Sequence, residues 1–83
     1  MPVGPVINDE IRIERQSIID AVVVRIMKAR KTEKHLPLME DVIKQVSTFM
    51  PEPLMIKQRI ESLIEREYLK RDETDRAKYI YLP

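Results

Sequence analysis

Apolar residues along the first third of the chain recur at helical spacing, with Ile19, Val22, Val23 and Ile26 on one face and Ile11 and Ile18 flanking it. This pattern predicts one long helix from Asn8 or Asp9 to about Arg30 or Lys31, with Asn8 or Asp9 as cap and Glu10 as negative charge in the first turn. Arg12 and Arg15 intrude on the apolar arc, so the first turns are expected to be poorly buried. With Ile19 at the centre of the arc and a step of roughly 100° per residue, Lys28 falls near the opposite pole. Ser17 and Ala21 lie on its side, Arg25 and Lys31 one turn either way, and Val24 is a further exposed neighbour.

Downstream, Thr32 to Leu36 reads as a polar connector. Pro37 suits the first turn of a second helix, where its missing N–H has no helical partner to lose. Leu38, Val42, Ile43 and Val46 make that helix's buried stripe, Phe49 or Met50 continues it, and Pro51 stops it. Pro53 opens a third helix on Ile56, Ile60, Leu63 and Ile64, fading near Glu67. Two short extended runs follow, Tyr68 to Arg71 and Lys78 to Leu82, joined by the polar loop Asp72 to Ala77. Pro2, Gly4 and Pro5 argue against a regular element in residues 1–9, which are expected to be a flexible segment before a domain of residues 10–83. Three helices followed by a hairpin define a mostly helical α+β fold with the element order of a winged helix.

At 83 residues the chain builds one compact core, burying roughly 60–65% of its unfolded surface. A formal net charge of +1 gives no overall pull towards nucleic acid or anionic membrane. Without cysteine there is no disulfide framework, thiolate nucleophile or cysteine metal site. No signal peptide or membrane span is legible, and a soluble, intracellular protein is expected.

The stretch around Lys28 carries a family resemblance. Glu14-Arg15, then Ile19-Asp20-Ala21-Val22-Val23-Val24-Arg25-Ile26-Met27-Lys28-Ala29-Arg30-Lys31, resembles the C-terminal winged-helix domain of cullins, the scaffold subunits of a large class of ubiquitin ligases. The resemblance continues through Lys57-Gln58-Arg59-Ile60-Glu61-Ser62-Leu63-Ile64-Glu65-Arg66-Glu67-Tyr68-Leu69 to the close at Tyr79 to Leu82. It implies that Lys28 accepts the ubiquitin-like modifier of the neddylation pathway through an isopeptide bond. It also implies a non-catalytic scaffold domain with no cofactor, located in the cytoplasm and nucleus. The partners implied are the modifier and its conjugating enzyme, a RING protein and the deneddylating signalosome. In cullins the modifier helps release the winged-helix domain and the RING protein from a closed arrangement, which favours ubiquitin transfer. Val22-Val23 stands where many cullins have alanine then isoleucine, and the chain closes on Pro83 where alanine is common.

An outward lysine on an amphipathic helix is by itself only a solvated face, and it is the surrounding motif that singles out Lys28. Lysine amines are neutral in only about one molecule in a few thousand at pH 7. The domain's share of the chemistry is therefore presentation of the amine, with Val24, Arg25 and Lys31 as candidate docking neighbours. The rival reading is DNA binding through the third helix and wing, with Lys57, Arg59, Lys70, Arg71, Arg76 and Lys78 as candidates. Glu61, Glu65, Glu67, Asp72, Glu73 and Asp75 lie among them and oppose counterion release, so nucleic acid is disfavoured. His35, the single histidine, has no spaced partner for a metal and reads as a surface loop residue. Met27, Met39, Met50 and Met55 read as core or rim filler.

Overall fold

The computed structural model describes residues 9–83. The expectations of a flexible start and of Asn8 as a cap fall on residues outside that range, and Asp9 is the first residue of α1. The elements are α1 (Asp9–Arg30), β1 (Thr32–Lys34), α2 (His35–Gln45), α3 (Pro53–Glu65), β2 (Leu69–Arg71) and β3 (Lys78–Tyr81). Three helices pack around one core, and the strands form an antiparallel sheet in the order β1-β3-β2. This is a winged helix.

The predicted stripe of α1 is the centre of the core. Ile19, Val22, Val23 and Ile26 are buried together with Met27. Leu38 and Val42 from α2, Ile56, Ile60 and Leu63 from α3, Leu69 from β2 and Tyr79 from β3 close around them. Each fully buried aliphatic side chain contributes about 1.5–3 kcal/mol of transfer free energy. The first turns of α1 lie outside this core, as the intruding arginines imply, and Ile13 is 63% exposed. Arg15 instead sets its guanidinium over the Phe49 ring, 4.8 Å from the centroid.

Several boundaries depart from the sequence reading. The connector after α1 is partly a strand, because Lys31 takes a left-handed conformation at φ 72° and turns the chain back alongside β3. Thr32, Glu33 and Lys34 then pair with Ile80, Tyr79 and Lys78, so β3 of the wing hairpin becomes the central strand of a three-stranded sheet with β1 and β2 at its edges. Tyr81 N–H donates to the Lys31 carbonyl and His35 N–H to the Ala77 carbonyl, both at 2.7 Å, which fixes the two ends of β1.

His35 is accordingly the first residue of α2 and not a loop residue. Its Nδ1 lies 2.8 Å from the Tyr79 hydroxyl. Pro37 still falls in the first turn of α2, where its lack of a donor is harmless. The helix does not reach Phe49. Val46 donates to Val42 at 3.0 Å and stays buried, and the backbone then leaves the helix into Ser47 and Thr48, poor helix formers. Met50, read as filler, is 77% exposed as a result.

Candidate functional site

Lys28 lies on the last turn of α1 and is exposed, while Ile26 and Met27 immediately before it are buried. The placement follows from the helical period once the Ile19 face is inside. A cation there also complements the negative end of the helix dipole.

The turn that ends α1 one residue after Arg30 is built by Lys31. Its N–H donates to the Met27 carbonyl at 2.7 Å, and its positive φ closes the helix as a glycine would, at a cost of about 1–2 kcal/mol for a residue with a Cβ.

The cations around Lys28 are all tied down. Arg25 Nη2 donates to Gln45 Oε1 at 2.8 Å, reaching the end of α2. Arg30 pairs with Glu33 and, at 2.7 Å, with Asp41, which joins α1 to β1 and α2. Both carboxylates raise the pKa of that guanidinium above its ordinary value, the hydrogen bond to Glu33 being the larger cause. Lys31 has left the helical face on which it was expected beside Lys28 and lies over the Tyr81 ring, 5.4 Å from the centroid. Within this cluster the Lys28 side chain alone has no hydrogen-bond, ion-pair or ring contact among the described residues. Its amine is free to be approached.

Val24 was expected to be exposed and is half-buried against the core. The reason is that α3 packs against α1, and Leu63 near its end lines the same groove as Val24. The result is a groove of about 600 Å³ along Lys28, bounded by Ala21, Val24, Arg25 and Ala29 on α1 and by Leu63, Arg66 and Tyr68 across from them.

One carboxylate on α1, given no role in the sequence reading, lines this groove. Asp20 accepts two hydrogen bonds from Arg59, from Nε and Nη2, both at 2.8 Å. A third comes from Arg66 Nη2 at 3.1 Å. The bond to Asp20 raises the Arg59 pKa above its ordinary value. No local pattern announces a pair 39 residues apart. Its one sequence trace is a carboxylate breaking the apolar run between Ile19 and Val22.

Three of the six cations considered for DNA are engaged: Arg71 pairs with Glu61, Arg59 with Asp20 at 2.8 Å and Lys78 with Asp72 at 4.0 Å. Among the described residues no group of three or more His, Asp or Glu side chains could hold a metal ion. No helix of the described residues is long and apolar enough to cross a membrane.

The family model of the cullin protein neddylation domain matches residues 14–75, which include all of the Lys28 motif. The chain belongs to the cullin family. It is 53% identical over 76 residues to Cullin-3 of Dictyostelium discoideum and 51% identical over 81 residues to Cullin-3 of Caenorhabditis elegans. Those alignments cover 90% and 88% of the chain but only 10% of each relative, so the cullin chain here spans about a tenth of their length. Among solved structures it resembles a chain of the Dcn1(P)–Cdc53(WHB) structure, described as a dual E3 mechanism for Rub1 ligation to Cdc53. The TM-score is 0.81 at 33% identity, covering 96% of this chain and 100% of that one. The cullin neddylation domain is thus present in both sequence and fold.

Proposed function

We propose that Lys28 is the acceptor of the ubiquitin-like modifier and that this domain is a non-catalytic part of a cullin ubiquitin-ligase scaffold. The observation that carries the reading is the exposed, partnerless Lys28 amine inside a cluster of pinned cations, on a domain of the neddylation family. The modifier arrives as a thioester on its conjugating enzyme. The neutral Lys28 amine attacks the thioester carbonyl, the C–N isopeptide bond forms, the C–S bond breaks, the enzyme's thiolate leaves and the amine gives up a proton. The docking enzyme supplies the catalytic groups, and the domain supplies a rigid helix end that holds the amine away from the core.

In the parent ligase the attached modifier shifts a two-state assembly, releasing this domain and the RING protein from a closed arrangement, and the deneddylating signalosome reverses the change. The neddylation-domain match and the Rub1-ligation setting of the structural relative support this assignment. Nothing observed favours DNA binding as a second reading. In a reconstituted neddylation reaction, Lys28→Arg keeps the fold and the charge and removes the nucleophile. It should give no modified band where wild type gives one. Equal labelling of both proteins would overturn the assignment.

A further inference from the structure

The groove beside Lys28 has a far wall that the fold takes trouble to hold. That wall is Tyr68, 46% exposed although it is aromatic. Two separate devices fasten it. First, α3 ends in a paired turn closure: Tyr68 N–H donates to the Leu63 carbonyl at 2.9 Å and Glu67 N–H to the Ile64 carbonyl at 3.0 Å. This closure needs a left-handed residue, and it is Glu67, at φ 66°, and not a glycine. Second, the Arg66 guanidinium lies 5.6 Å from the Tyr68 ring centroid while donating to Asp20 at 3.1 Å and to the Ser62 carbonyl at 3.3 Å.

A purely structural role for this arrangement is a staple between α1 and α3. Arg59 already makes that staple with its Nε and Nη2 donors, in a position about four-fifths buried. Arg66 adds its bond from the exposed side, and its further contacts are the Ser62 carbonyl and the Tyr68 ring. The ring in turn faces a groove whose opposite edge is Lys28 and whose base is the buried Leu63.

An enzyme that brings a thioester carbonyl within bonding distance of the Lys28 amine must cover the groove that Lys28 itself lines. Among the described residues the one carboxylate lining it, Asp20, is already shared by two guanidinium groups, while Arg25, Lys28 and Arg66 leave the rim cationic. From this juxtaposition, and resting on Lys28 as the acceptor, we infer that Arg66 is a positioning residue for the modification. It holds Tyr68 as the wall of a docking groove for an apolar side chain of the conjugating enzyme flanked by carboxylates.

The test measures transfer of the modifier from its charged conjugating enzyme to the 83-residue chain over a range of acceptor concentrations. Arg66→Ala and Tyr68→Ala should raise KM about fivefold or more while kcat stays within about twofold. Tyr68→Phe, which keeps the ring, should restore the wild-type KM. A small amine-reactive reagent should label Lys28 equally in all four proteins, because the amine's own exposure is unchanged. Transfer to wild type with an unaltered KM in Tyr68→Ala overturns the inference, and this surface variant decides the matter even if Arg66→Ala folds poorly. Absence of transfer to wild type would remove the acceptor assignment, and this inference with it.

Discussion

Arg59 meets Asp20 end on, with Nε and Nη2 each 2.8 Å from a separate carboxylate oxygen, and this fork joins α3 to α1 beside the groove that Lys28 lines. Both side chains are about four-fifths buried, at 20% and 18% relative exposure. A paired charge in such a place is costly to orphan. Asp20→Asn keeps the volume and removes the charge from two guanidinium groups, and it should lose about 1.5–3 kcal/mol of stability in urea titration. A loss below about 0.5 kcal/mol would mean that solvent already screens the pair.

Glu67 holds a conformation that suits glycine. Its φ of 66° costs about 1–2 kcal/mol for a residue with a Cβ, set against the greater entropy that glycine loses on folding. Glu67→Gly should therefore stabilise the domain by about 0.5–1 kcal/mol and raise Tm by roughly 2–6 °C in calorimetry. A lower Tm would show that the Glu67 side chain does more than bear strain.

Stability should fall at both ends of the pH scale for identifiable reasons. The hydrogen bond from Arg71 holds the Glu61 carboxyl below its ordinary value, and the Thr74 hydroxyl and N–H do the same for Asp72. Groups lowered in the folded state bind fewer protons there than when unfolded. Their stabilisation is present above the ordinary carboxylate range and is lost as pH drops through the lowered folded values. Tyr79 is the opposite case. Burial raises its hydroxyl above 10.0, so its contribution is complete below that value and disappears as pH climbs through the raised folded value. Urea midpoints across pH should show both declines, and Tyr79→Phe should remove much of the alkaline one. An alkaline decline unchanged in Tyr79→Phe would exclude Tyr79 as its source.

Much of this was legible in the residues. Ile19, Val22, Val23 and Ile26 announced the buried face of α1 because a 22-residue helix repeats its period often enough to be read. The outward direction of Lys28 followed from the same period. What stayed hidden is set by long-range pairing or by single backbone angles. β1 is three residues long, too short to display alternation, and exists because Lys31 reverses the chain. The half-burial of Val24 depends on where α3 crosses, and the Asp20–Arg59 fork joins positions with no local relationship. His35 on Tyr79 is of the same kind, separated by 44 residues. The outward placement of Lys28 could be read from the sequence, whereas the groove around it needed the tertiary structure.

The central claim is that burying the Ile19 face commits the Lys28 amine, and not its pinned neighbours, to the modifying enzyme. Peptide mapping by mass spectrometry after reconstituted modification tests this directly. The account predicts the modifier's C-terminal remnant on Lys28, with Lys31 and Lys34 unmodified. A remnant on Lys31 or another lysine, with Lys28 unlabelled, would contradict it.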